Sequence, residues 1–185
     1  MDTQTLLRLA HSDPIITRRF GGVFTSDLLP KSRGYYRSFI VSTDPYLEKG
    51  THWQAVYFDN KAKCTFFCSY GTYPMGNIKK FIDNNSTQME WNSKILEHPK
   101  TTSCGLFCPY FLWHLTRGLS IDRLREINFC ENERIVARFA QTQFKLTNHL
   151  TLLTSNQQCK SLQIMMSEKI KVRDISITTS GCEFR

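Results

Sequence analysis

Cys104 stands in Thr101-Thr102-Ser103-Cys104-Gly105-Leu106-Phe107-Cys108, where a small polar run meets an apolar segment. Thr101 to Ser103 are suitable N-cap residues. Phe107, Tyr110, Phe111 and His114 then recur at helical spacing. A cysteine that opens a helix meets unpaired amides and the positive end of the helix dipole. Both favour the thiolate, the nucleophilic form. Gly105 leaves room for a second backbone or a substrate to come close. Read alone, Cys104 is also one more small buried apolar group, the usual state of a free cysteine, and on local grounds that packing reading carries more weight. A base for such a nucleophile stands at His52, in Gly50-Thr51-His52-Trp53. A thiol–imidazole pair needs the ring to take the thiol proton, a third group to hold the ring, and a donor for the oxyanion. The other chemistry in the spacing is metal ligation, because Cys64-x3-Cys68 and Cys104-x3-Cys108 have a gap that zinc sites use.

The elements that must position these residues can be read from the pattern. Residues 3–10 form a short amphipathic helix carrying Leu6, Leu7 and Leu9. Phe20-Gly21-Gly22-Val23-Phe24 leads into a capped turn, Thr25 to Leu29, stopped by Pro30. Ser38 to Ser42 has strand composition and ends at Asp44-Pro45. A second strand is expected over Thr51 to Phe58, a turn at Asp59 to Lys61, and a hairpin partner over Lys63 to Cys68. Met75 to Ile82 reads as a helix with an Ile78, Phe81 and Ile82 stripe, and Met89 to Trp91 as a short strand. The Cys104 helix should tolerate Pro109 only near its first turn and close at Arg117-Gly118. Ser120 then caps a helix over Ile121 to Ile127, and Asn132 to Phe144 forms another with Ile135, Val136 and Phe139 inward. From residue 146 the hydrophobic period disappears. The organisation expected is a domain over 1–145 and a C-terminal tail over 146–185.

The 185-residue chain is 41% apolar and 12% aromatic, which suits one globular domain with a real core. It has no run of membrane-span length, and Met1 to Ala10 is too polar for a secretory signal. An intracellular protein with no membrane partner, and seven reduced cysteines, is the expectation. The net charge of +8 invites a polyanion, yet 1–50, 51–100, 101–150 and 151–185 each net +2. With no basic arm, the charge supports weak nonspecific nucleic-acid affinity and no sequence readout.

Taken together, GTHW opening a strand, the hairpin to FFCSYG, and TTSCGLFCPYFL opening a helix resemble the adenovirus-type (adenain-like) cysteine proteases. The pattern is nearest to the branch carried by Polinton/Maverick transposons and related viruses, and FGGVFTSDLLP and FIVSTDP are similar to that branch as well. The resemblance spans roughly residues 20–145 by pattern. It implies an α+β fold, a small mixed sheet packed against helices with the nucleophile at the N-terminus of a central helix. It also implies that Cys104 is the nucleophile and His52 the general base of a cysteine endopeptidase acting on viral or mobile-element precursor proteins such as capsid proteins. A protein or peptide substrate and a monomer follow, in the host cytoplasm or nucleus or in a virion. The chain's residues require no cofactor, although family members use DNA and a viral peptide as activators.

Two positions depart from that family pattern. Cys68 occupies the place of the acidic residue that orients the histidine, and Glu97 the place of the glutamine of the oxyanion hole. A neutral thiol stabilises an imidazolium poorly, and losing the orienting acid costs roughly 10⁴-fold in a serine-protease triad. An ionised glutamate repels an oxyanion where glutamine donates to it, and one lost donor costs roughly 10²–10³-fold. The alternative expectation is therefore a catalytically inactive pseudoprotease that binds peptides or serves assembly. No metal is expected: residues 64 and 68 of one strand lie about 13 Å apart at ~3.3 Å per residue, too far for one ion.

Overall fold

In the computed structural model, residues 1–145 are described except 49, 122, 125 and 127, and all of them fall in one compact unit, Met1–Thr147. The tail expected over 146–185 lies outside the described residues. The order of elements is α1 (Thr3–Ser12), α2 (Pro14–Thr17), β1 (Phe20–Phe24), β2 (Ser38–Ser42), β3 (Trp53–Phe58), β4 (Lys63–Phe67), α3 (Gly76–Asn85), β5 (Gln88–Trp91), α4 (Cys104–Leu115) and α5 (Phe129–Gln143). The fold is α+β, built on one five-stranded sheet in sequence order. The outer pairs β1–β2 and β4–β5 are parallel, and the inner pairs β2–β3 and β3–β4 are antiparallel.

The hairpin forms as its composition requires. Asp59 Oδ1 accepts the Lys61 and Lys63 N–H bonds (both 2.8 Å) and sets the turn, and Phe58 then faces Cys64. Phe39, Val41, Val56, Phe58, Cys64, Phe66 and Cys68 share a buried cluster with Ile78, Phe81 and Ile82 of α3. Phe67 instead stacks on Phe107 and Phe111 of α4, at ring centroids 6.5 and 4.7 Å apart. Strand alternation thus sends the two neighbours Phe66 and Phe67 into different packing layers, with the hydrophobic helix α4 laid against the sheet.

Several elements differ from their expected form. Phe20–Phe24 is a strand, hidden in the sequence by Gly21-Gly22, which weaken strand propensity. The Phe39 ring explains Gly21, since a Cβ there would collide with it. Pro109 falls in the second turn of α4, so the helix forgoes one internal hydrogen bond. The described residues of 121–127 form no helix, only the single turn closed by Leu124 N–H to the Ile121 carbonyl (3.0 Å). In α5 the buried face runs through Asn132, Glu133, Val136, Ala137 and Ala140, leaving Ile135 and Phe139 half-buried. That rotation has a polar cause, given with the site below. Cys64, Cys68, Cys104 and Cys108 are free thiols. Among the described residues no helix is long and apolar enough to cross a membrane.

Candidate active site

His52 is placed by the loop that enters β3. Asp44 accepts from the Thr51 N–H and hydroxyl (2.6 and 2.7 Å), and Thr43 N–H bonds the His52 carbonyl (3.0 Å). His52 therefore sits one residue before the strand, not on it as expected. Its ring stacks on Tyr70, centroids 4.5 Å apart. Its Nε2 lies 3.2 Å from Cys68 Sγ, and its Nδ1 is buried with no hydrogen-bond partner.

Cys68 follows directly after β4. Asn92 clamps its backbone, accepting its N–H at Oδ1 (2.8 Å) and donating from Nδ2 to its carbonyl (2.7 Å). The Cys68 carbonyl also takes the Gly71 N–H (2.8 Å), in a turn that brings Thr72 Oγ1 to 3.0 Å from Cys68 Sγ. Gly71 holds φ +69°, and a Cβ there would meet the Ser93 carbonyl oxygen at 2.8 Å, so the turn needs a glycine.

Cys104 is the first residue of α4, as the sequence predicts. The expected N-cap side chain is absent: Ser103 makes no capping bond, and the Glu97 carboxylate takes its place from a distance in sequence. Glu97 Oε1 accepts the Ser103 N–H (2.6 Å), and Oε2 accepts the Ser69 hydroxyl (2.5 Å). The space over Gly105 is filled by Met1, whose Cβ would be 2.8 Å from a Cβ on that glycine. The Trp53 indole N–H donates to the Met1 carbonyl (2.9 Å), fixing that residue over the helix end.

A ring nitrogen of His52, the Glu97 carboxylate and the Cys104 thiol lie within 4.8 Å of one another, all buried. Cys68 touches Nε2 of the same imidazole, so all four sequence-selected residues lie about one ring. Cys64 and Cys108 belong to the packed core, and the Cys₄ set is not assembled among the described residues.

Electrostatics sets the resting charge of this cluster. Burial drives the His52 imidazole down to about 4, and nearby Asp44 only partly opposes it. Burial pushes the Cys104 thiol up to about 11, with the Glu97 charge adding to it and the Trp53 backbone N–H pulling back. Burial also raises Glu97 to about 7, against hydrogen bonds from Ser69, Ser103 and the Cys104 amide. At neutral pH the pair is thus uncharged thiol and imidazole, because each charge lacks a solvating or ionic partner.

The residues that sequence reading missed hold Glu97 in place. Asn132 Nδ2 donates to the Leu96 carbonyl (2.9 Å), and Glu133 Oε1 accepts the His98 N–H (3.2 Å) and the Thr101 hydroxyl (2.6 Å). These bonds turn α5 so that two polar side chains face inward. Their signal in the sequence is that Asn132 and Glu133 precede Val136 and Ala137 by one turn, on the apolar stripe itself.

No family model and no curated protein matches the chain. Among solved structures, the chain is similar to the crystal structure of the ASFV pS273R protease, with 12% identity, TM-score 0.50, and coverage of 71% of this chain and 63% of that one. The chain therefore spans less than two thirds of that protein. Weaker likenesses are to the SUMO protease Ulp1 (9% identity, TM-score 0.49, 78% and 77% covered) and to the Chlamydia abortus effector ChlaDUB (13%, 0.39, 83% and 83%). The fold is thus one shared with the ASFV pS273R protease.

Proposed function

We propose that this chain is a cysteine peptidase working by acyl transfer. Cys104 Sγ attacks a peptide carbonyl while His52 takes the thiol proton. The imidazolium returns that proton to the leaving amine, and water then hydrolyses the thioester. The observation that carries this reading is the Cys104 thiol at the N-terminus of α4, close to an imidazole that a third side chain, Cys68, contacts at Nε2. A fold shared with the ASFV pS273R protease supports it. The sequence patterns GTHW and TTSCGLFCPYFL make the adenovirus type our choice of family, with a viral or mobile-element precursor as substrate. Cys68 takes the orienting role and Glu97 borders the oxyanion position. Only weak nucleic-acid contact is assigned to the evenly spread positive charge.

A second reading, an inactive peptide-binding module, draws on Glu97. Its carboxylate takes hydrogen bonds from the amides that open α4, including that of Cys104, where an oxyanion would need them. Hydrolysis of a glycine-rich peptide library by the wild type and by Cys104→Ala separates the two. Cleavage by the wild type alone supports the peptidase. Identical traces, with peptide retained by both proteins, leave the binding module.

A further inference from the structure

We infer that His52 Nδ1, Cys104 Sγ and the Glu97 carboxylate form a binding site for one zinc-class divalent ion, with water as the fourth ligand. A ring nitrogen of His52, a Glu97 carboxylate oxygen and Cys104 Sγ lie within 4.8 Å of one another, so bonds of ~2.0–2.3 Å to one tetrahedral ion need the side chains to close by roughly 1 Å. One imidazole, one thiolate and one carboxylate make a donor set suited to zinc, not to magnesium or calcium.

The independent observation is the orphaned nitrogen. His52 is nine-tenths buried, and its Nδ1 has no hydrogen-bond partner, although buried polar atoms are almost always paired. Its other nitrogen meets Cys68 Sγ at 3.2 Å. With the proton on Nε2 directed at that sulfur, Nδ1 carries the free lone pair of the ring, the one open to a metal. A metal-bound histidine usually gives its second N–H to an acceptor that fixes the tautomer, and Cys68, itself backed by Thr72 Oγ1 at 3.0 Å, fills that role. The carboxylate is held in the same way, by the Ser69 hydroxyl and the Ser103 N–H. The thiol starts a helix, where the dipole favours its anion. On coordination the Cys104 proton leaves to solvent, and thiolate with carboxylate balance the dication. The inference needs only these donors and not the peptidase reading; if both hold, zinc occupies the nucleophile and switches hydrolysis off.

The test uses the full reduced chain and Co²⁺ as a spectroscopic substitute, followed by Zn²⁺ competition. One equivalent of Co²⁺ should produce a near-ultraviolet thiolate-to-metal charge-transfer band that Zn²⁺ abolishes. Cys104→Ser should lose the band, and Cys68→Ala, which removes only the outer partner, should weaken Zn²⁺ binding about 10- to 100-fold. In the wild type, Zn²⁺ should also protect Cys104 from iodoacetamide, mapped by mass spectrometry, which needs no variant to fold. No band, a band that survives in a folded Cys104→Ser protein, or protection confined to other cysteines would overturn the site. Peptide hydrolysis enters none of these readouts, so a failure here is distinct from a failure of the peptidase.

Discussion

Replacing Glu97 by glutamine should accelerate the chemistry of Cys104, by an amount that depends on pH. Glutamine keeps the acceptor for the Ser103 N–H and can donate to the Ser69 hydroxyl oxygen, so the packing survives. What changes is one negative charge at most 4.8 Å from the thiol. At that separation and an effective dielectric of ~20, Coulomb's law gives roughly 3 kcal/mol against the thiolate, about two pKa units. At pH 8 the variant should hold about 10²-fold more thiolate. Lower intrinsic nucleophilicity returns about half of this on a logarithmic scale, leaving on the order of 10-fold faster alkylation. Peptide hydrolysis should gain more, because the amide nitrogen also supplies an oxyanion donor worth about 10²-fold or above. The assay is the rate of iodoacetamide labelling at Cys104, resolved by mass spectrometry from pH 5.5 to 8.5. Since Glu97 titrates at about 7, wild type and variant should converge at the acid end. Equal rates at pH 8, or a ratio unchanged across the range, would refute the placing of an ionisable Glu97 beside the nucleophile.

Stability should show the same titration with opposite signs for two groups. Glu97, raised from 4.5 to about 7 in the fold, contributes fully below pH 4.5 and loses on the order of 3 kcal/mol as pH rises through 7. Urea denaturation of Glu97→Gln should lack that loss. His52, lowered from 6.5 to about 4, contributes fully above 6.5 and loses its share as pH falls through 4, a slope that His52→Phe should remove. Cys68→Asp, placing a carboxylate against Nε2, should raise the imidazole pKa by about one unit or more in an NMR titration; an unmoved resonance would contradict the 3.2 Å contact. Glu133→Ala strands the His98 N–H and the Thr101 hydroxyl and should cost about 1–3 kcal/mol in thermal or chemical unfolding. A cost near zero would mean that α5 does not hold the Glu97 loop.

Much of this protein is determined locally, and that part is legible in the chain. The Asp59 turn, the hairpin it joins and the α3 stripe at 78, 81 and 82 follow from neighbours in sequence, because hydrogen-bond period and turn chemistry act over a few residues. The start of α4 at Cys104 was legible for the same reason, and its apolar run marks it as the buried helix. Tertiary structure alone decided what surrounds the thiol. Ser103 looks like the cap of α4, yet the cap is Glu97, brought in by Ser69 and by the loop that Asn132 and Glu133 secure. Phe20 to Phe24 reads only as the lead into a turn, yet it is a strand, and the Phe39 ring fills the space where a side chain on Gly21 would stand. His52, Cys104 and Glu97 carry no mark in the sequence of the charge each will hold. The protonation of His52, Glu97 and Cys104 is set by burial and by distances across three separate segments, and those exist only once the sheet and α4 have closed on one another.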